Sequence, residues 1–186
     1  MAVFFIFHGT KGHPQENWFP WIKHHLVLLG HEVIIPAFPT PEKQSLENWL
    51  KVLEPYHAKL NKSTVLAHSL GVPFLLNVLD RWDIEIKSAY LVGGFISDLG
   101  IKYDNINRSF VNKKLDFSSV RSKCRRFNVI SSDNDPYVPL EKGKELAEKL
   151  NVNLHLIRNA GHFNAEAGFR EFPQLLDMIK KELQSA

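Results

Sequence analysis

The stretch TVLAHSLG, residues 64–71, decides how this chain is expected to fold. Its apolar start leads directly into Ser69, and a helix-like stretch follows. Ala67 and Gly71 flank Ser69 at two positions on either side, and small residues there are what a sharp turn from strand to helix requires. Such a turn carries the serine Oγ out at the edge of the sheet, so residues 64–82 are predicted to form a strand, a strained turn and a helix.

The same five residues, 67–71, form the alanine variant of the G-x-S-x-G nucleophile elbow. A short match of this kind arises often by chance, and most serines in such a pattern are ordinary turn or N-cap residues. The pattern gains weight only if an acid and a histidine follow it in the right places.

Two later motifs meet that condition. Asp135 follows the strand-like run at 127–130, and His162 follows another at 154–157. In open parallel sheets the functional residues lie at the carboxyl ends of the strands, and the chain order of nucleophile, acid and histidine is that of α/β-hydrolases. Asp133 is an alternative acid, but Pro136 restricts the backbone at Asp135 and favours that residue.

Several motifs together resemble the small serine hydrolases related to retinoblastoma-binding protein nine, over nearly the whole chain. The motifs are His8-Gly9, the Trp18 and Trp21 pair, His68-Ser69, Ser97-Asp98-Leu99-Gly100, Asp135-Pro136 and Gly161-His162-Phe163. The resemblance implies an α/β-hydrolase fold with Ser69, Asp135 and His162 as a catalytic triad. Ala67 departs from the usual glycine, but alanine is the next smallest residue.

Apolar runs and helix-period stretches alternate along the chain, which predicts a parallel sheet covered on both faces. We expect a three-layer α/β sandwich in one domain, 1–186: a minimal α/β-hydrolase fold with a mostly parallel sheet of strand order 2-1-3-4-5-6. The predicted strands are 3–7, 32–35, 64–67, 88–92, 127–130 and 153–157. The predicted helices are 17–29, 46–60 with Ser45 as N-cap and a break at Pro55, 70–82, 140–150 and 172–183.

Composition limits the possible partners. The apolar fraction of 44%, the charged fraction of 23% and the net charge of +3 predict a globular protein that binds neither nucleic acid nor membrane. The basic cluster at 121–126 is interpreted as a solvated face. The apolar start at 1–7 lacks a basic leader and reads as a buried strand, and the single Cys124 favours a reducing, cytoplasmic location.

A serine nucleophile needs N–H donors for the oxyanion of its tetrahedral intermediate. Leu70, directly after the nucleophile, is expected to provide one. The other is expected from Thr10, or else Gly9, in the glycine-containing loop 8–12. A phosphate-binding loop is the competing interpretation, but the Lys-Ser/Thr ending is missing.

Candidate substrate contacts cluster around the same strand ends. They are His8, Gly9, Trp18, His68, Phe95 and Phe163, with Phe38 and Phe110 as further apolar candidates. Each has an alternative role: the aromatic side chains can be core, and the histidines can be hydrogen-bonded groups behind the site. No metal site is expected, because the histidine spacings match no ligand motif.

The irregular segment 93–120 is expected either to cover the site as a small lid or to be an exposed connection with a short helix. The predicted function is hydrolysis of an ester, thioester or amide through an acyl-enzyme on Ser69, without a cofactor. The alternative is a protein-binding module that keeps the hydrolase scaffold with little or no turnover.

Overall fold

The computed structural model describes residues 1–111 and 114–185. Its strands are β1 Val3–Phe7, β2 Glu32–Ile34, β3 Thr64–His68, β4 Ile86–Val92, β5 Cys124–Ser132 and β6 Leu154–Ile157. Its α-helices are α1 Phe19–Leu28, α2 Leu46–Leu53, α3 His57–Leu60, α4 Gly71–Arg81, α5 Asp104–Val111, α6 Phe117–Ser122, α7 Leu140–Leu150 and α8 Pro173–Gln184.

All six strands lie in one parallel sheet of order β2-β1-β3-β4-β5-β6, which confirms the predicted fold and strand order. Successive residues of β1 face opposite sides, so Phe5 packs into one core and Phe4 into the other. Helices α2 to α7 cover the first face, and α1 and α8 cover the second. The carboxyl ends of the strands therefore share one edge of the sheet.

Strand β5 starts earlier than the apolar pattern predicted. It begins at Cys124, paired with Ile86 of β4, rather than at Phe127. The exposed side chains of Arg125 and Arg126 interrupt the apolar pattern at this end, although the backbone pairing continues. Cys124 lies at the edge of the sheet opposite the strand carboxyl ends, where burial raises the pKa of its thiol to about 12.

The helix predicted at 46–60 is divided into α2, a 3-10 turn at Glu54–Tyr56, and α3. The division occurs at Pro55, which has no N–H to donate within a helix. Ser45 is the N-cap as predicted, because its side chain accepts a hydrogen bond from the Asn48 N–H at 3.2 Å.

The segment 93–120 contains two helices, α5 and α6. Asp104, the first residue of α5, accepts hydrogen bonds from the N–H groups of Leu99, Gly100 and Ile101, which folds the preceding turn back onto the helix. We call residues 99–107 the cap. Among the helices of the described residues, none has the length and apolarity needed to cross a bilayer.

Candidate active site

Ser69 occupies a sharp turn between β3 and α4. Its φ of +54° lies in the left-handed region, which a non-glycine residue enters only under constraint. The Ser69 N–H donates to the Val92 carbonyl at 2.9 Å and so ties the turn to β4. A Cβ at Gly71 would lie 2.5 Å from the Phe7 carbonyl oxygen, so only glycine lets α4 begin this close to β1.

His162 and Asp135 form a hydrogen-bonded pair. The His162 Nδ1 lies 2.7 Å from the Asp135 Oδ2. A carboxylate only accepts, so Nδ1–H is the donor, and in the neutral form of the ring the lone pair then lies on Nε2. The other oxygen, Oδ1, accepts from the N–H groups of Tyr137 and Val138 at 2.8 and 3.0 Å, and these bonds fix the carboxylate.

Asp133 contacts a different part of the loop after β6, residues 158–163, which carries His162 and is called the histidine loop. Its Oδ1 accepts from the Asn159 N–H at 2.7 Å. The neighbouring Ser132 Oγ accepts from the Ala160 N–H at 3.0 Å, and the Asn134 Oδ1 accepts from the Gly161 N–H at 2.8 Å. With the Asp135–His162 bond, four successive side chains at 132–135 thus hold four successive residues at 159–162. We call this set the acid–histidine junction.

Ser69 and His162 line the same cavity, which has a volume of about 380 Å³. Its walls come from the loops after β1, β3, β4, β5 and β6. The lining residues are Gly9, Thr10, Lys11, Glu16, Asn17, His68, Ser69, Phe95, Leu99, Ile101, Tyr103, Asn107, Tyr137, Val138, His162, Asn164, Ala165 and Glu166. The cap therefore forms one wall of the cavity rather than an exposed connection.

The expected oxyanion donors are the N–H groups of Thr10, which lines the cavity, and of Leu70, which follows Ser69 in the chain. Within residues 1–111 and 114–185, neither the Thr10 N–H nor the Leu70 N–H donates to another protein group. Gly9 packs directly on the nucleophile, because a Cβ there would lie 2.8 Å from the Ser69 Cβ and 3.2 Å from its Oγ. The loop after β1 thus packs on the nucleophile, and in the described part of the chain this loop and the start of α4 each carry a backbone N–H without a protein acceptor.

The two histidines expected near the site hold loops in place. The His68 Nε2–H donates to the His162 carbonyl at 2.8 Å. Burial, and secondarily the nearby His162, lowers the pKa of His68 to about 3, so this ring stays neutral. His68 also lines the cavity. His8 does not line the cavity: Nδ1–H donates to the Gly9 carbonyl, and Nε2 accepts from the Phe38 N–H. Burial lowers the pKa of His8 to about 4.

Four further sequence candidates lie behind the cavity wall. Trp18 and Phe163 are fully buried, and the Trp18 indole N–H donates to the Phe163 carbonyl at 3.1 Å. Their expected contact with substrate is therefore corrected to support of the histidine loop. Phe38 and Phe110 belong to the core, because their rings pack among other aromatic side chains. Phe95 does line the cavity, so its predicted contact with substrate stays a prediction.

Several lining residues carried no sequence signal. Glu16 borders the cavity, and burial raises the pKa of its carboxyl to about 7. Asn107 and Tyr137 reach the cavity from α5 and from the loop after β5. Only their position in loops after predicted strands could have marked them. In the described part of the chain, no group of three or more His, Cys, Asp or Glu side chains is placed to hold a metal ion.

Comparison with known proteins agrees with this architecture. A sequence model described as "Serine hydrolase" matches residues 4–181. The putative hydrolase YdeN of Bacillus subtilis is 30% identical over 94% of this chain and 93% of its own length. The rat serine hydrolase RBBP9 is 22% identical over 92% of this chain and 89% of its own length.

Solved structures show the same fold. The crystal structure of the B. subtilis ydeN product superposes with a TM-score of 0.90 at 28% identity, covering 99% of this chain and 100% of that one. Est1E from Butyrivibrio proteoclasticus, solved with ferulic acid bound, has a TM-score of 0.73 at 17% identity, covering 100% of this chain and 89% of its own.

The parallel sheet, the strained serine after β3 and the His–Asp pair at later strand ends define an α/β-hydrolase architecture. Within that class, the match over residues 4–181 shows that the chain belongs to the serine hydrolase family.

Proposed function

We propose that this hydrolase cleaves an ester, thioester or amide through an acyl-enzyme on Ser69. The observation that carries the proposal is the placement of Ser69 beside free N–H donors in a cavity that also exposes the Asp135-bound His162. A serine hydroxyl is a weak nucleophile at neutral pH, and an oriented neutral imidazole is the base that activates it.

The proposed reaction has two halves. The Ser69 Oγ attacks the substrate carbonyl while His162 Nε2 takes the hydroxyl proton, and the N–H groups of Leu70 and Thr10 stabilise the oxyanion. Collapse of the intermediate breaks the bond to the leaving group, which receives that proton from His162. Water then attacks the acyl-enzyme by the same route and releases the acid. Asp135 keeps the imidazole in the required tautomer and stabilises the imidazolium.

The cavity supports a small-molecule substrate. Phe95, Leu99 and Ile101 contribute apolar side chains to its lining, and these suit a hydrocarbon or aromatic part of the substrate. Gly9, His68 and Phe95 line the cavity and are the proposed substrate contacts that remain from the sequence. We assign the activity to one domain comprising 1–186, acting in the cytoplasm.

The proposal is tested with matched p-nitrophenyl esters, thioesters and anilides that share each acyl group. We expect a burst of about one leaving group per chain with the esters, followed by a slower steady state, because an acyl-enzyme accumulates. Release of the leaving group no faster than in buffer alone, for every acyl group from acetyl to aromatic, would contradict the proposal. It would instead favour a protein-binding module on a hydrolase scaffold.

A further inference from the structure

A chain of polar side chains connects the loop after β1 with the cap. Thr10 Oγ1 donates to Asn107 Oδ1 at 2.7 Å, although the two residues are 97 positions apart. The same Asn107 oxygen accepts from Gln44 Nε2 at 2.8 Å. Gln44 Oε1 accepts from the Thr40 hydroxyl, whose oxygen accepts from the Lys11 N–H at 2.7 Å. These five residues form what we call the oxyanion–cap network.

The hydrogen-bond directions in this network are all determined. The Lys11 N–H can only donate, so Thr40 Oγ1 is an acceptor there and its own proton goes to Gln44 Oε1. That bond fixes the Gln44 amide, whose Nε2 then donates to both Asn107 Oδ1 and the Ile106 carbonyl, the latter at 3.0 Å. Each group has one orientation, so the network is rigid.

The network holds the residues on both sides of the peptide that joins Thr10 to Lys11, because it bonds the Thr10 hydroxyl and the Lys11 N–H. The Thr10 N–H, which belongs to the preceding peptide, has no protein partner in the described residues. Lys11 has a φ of +58°, a conformation that needs support from its surroundings. The network supplies that support, and Asn107 at its centre is buried and borders the cavity.

We propose that Asn107 and Gln44 are positioning residues, which hold the Thr10 N–H at the place where the substrate oxyanion forms. The inference rests on the proposed function, since it assumes an acyl-transfer oxyanion beside Ser69. A preorganised donor stabilises the transition state more than the ground state. Weakening the network therefore lowers kcat and leaves KM nearly unchanged.

The test compares Thr10→Val, which removes the hydroxyl at constant shape, with Thr10→Ser, which retains it. We expect Thr10→Val and Asn107→Leu each to lower kcat about tenfold, part of the hundredfold or more that loss of an oxyanion donor costs. KM is expected to stay within about twofold, and Thr10→Ser to recover most of the rate. Asn105→Leu, the same substitution at an exposed site of α5, is the matched control and is expected to be silent.

A double-mutant cycle separates positioning from simple attachment of the cap. If the two side chains act through their shared bond, Thr10→Val with Asn107→Leu is no slower than either single variant. The proposal would be overturned if the two losses in kcat multiplied in the double variant, if only KM changed, or if folded Thr10→Val kept the wild-type kcat. Should Asn107→Leu fail to fold, Gln44→Leu replaces it in the cycle.

The rate of Ser69 phosphonylation by a fluorophosphonate gives a second readout that needs no turnover. It is expected to fall by a similar factor in Thr10→Val and to be restored in Thr10→Ser. An undiminished phosphonylation rate in Thr10→Val would count against the positioning role. Failure of the wild type to react at Ser69 would instead contradict the proposed function, so the two failures are distinguishable.

Discussion

The acid–histidine junction and the oxyanion–cap network hold opposite sides of the same cavity by different means. The junction joins the loops after two neighbouring strands, β5 and β6, through direct bonds from side chains 132–135 to residues 159–162. The network instead runs from the loop after β1, through the segment between β2 and α2, to helix α5.

The difference follows from the sheet. Adjacent parallel strands place their carboxyl-end loops within side-chain reach, so the acid and histidine need no intermediary. The cap follows β4, which is not adjacent to β1, so it is joined to the β1 loop through a relay of mostly partly buried polar side chains. We therefore expect the junction to control whether chemistry occurs, and the network to set how fast it proceeds.

Removing the Ser69 hydroxyl, on which both the junction and the network act, has the largest expected effect on kcat. Ser69→Ala should lower kcat on an activated ester by about a millionfold, because the residual site offers only binding and an oxyanion hole. Thermal unfolding should change little, since alanine retains the Cβ and the same positive φ. A well-folded Ser69→Ala protein with undiminished turnover would be incompatible with the mechanism.

The junction itself is tested by its two aspartates. Asp135→Asn should lower kcat by about ten-thousandfold, because an amide permits the wrong imidazole tautomer. Asp133→Asn retains an oxygen for the Asn159 N–H and should cost far less. Both rates are measured on proteins of matched circular dichroism. A larger loss in Asp133→Asn would reassign the acid.

The contact between the β1 loop and the nucleophile is tested at Gly9. Gly9→Ala places a methyl group 2.8 Å from the Ser69 Cβ, so either the loop or the serine must move. A displacement of that size can cost about a hundredfold in kcat. Gly30→Ala is the control: Gly30 has a φ of +83° but no neighbour within 4 Å, so it should affect stability alone. Equal activity of both variants would show that Gly9 has no role in the site.

Sequence predicted the fold well because its signals are local. Apolar runs and capping residues predicted all six strands and helix α7 with the bounds found, whereas the strand order was predicted from the crossovers typical of the hydrolase fold. The start of β5 was missed because Arg125 and Arg126 lie in an exposed part of the strand, where pairing needs no apolar side chains. The sequence did not predict α5 and α6 as separate helices, because their short polar stretches are stabilised by contacts with the cap turn and the core.

The site could be predicted only as far as strand ends determine it. Ser69, Asp135 and His162 follow strands, so the sequence marks where they lie. The roles of Gln44 and Asn107 depend on pairing between distant loops, for which one sequence carries no periodic signal. For Trp18 and Phe163 the sequence allows both substrate contact and core packing, and the structure buries both, with the Trp18 indole N–H bonded to the Phe163 carbonyl.

The smallest expected effect concerns Glu16, beside the β1 loop. Its carboxyl pKa is raised from 4.5 to about 7 by burial, so the folded chain holds this proton after the unfolded chain has lost it. The free energy of unfolding should therefore fall as pH rises from about 4.5 through 7. Urea titrations at pH 5 and pH 8 should show a smaller fall for Glu16→Gln. Glu171→Gln, at an exposed position, serves as control. The same fall in the free energy of unfolding between pH 5 and pH 8 in all three proteins would refute the raised pKa of Glu16.

The central claim is that Ser69 is an activated nucleophile, and covalent labelling tests it most directly. The folded wild-type chain is treated with a fluorophosphonate, and the modified residue is located by mass spectrometry of its peptides. We expect one adduct per chain on Ser69, none in Ser69→Ala, and much slower labelling in Asp135→Asn. An unmodified chain, or an adduct on a residue outside the cavity such as Ser97, would contradict the account.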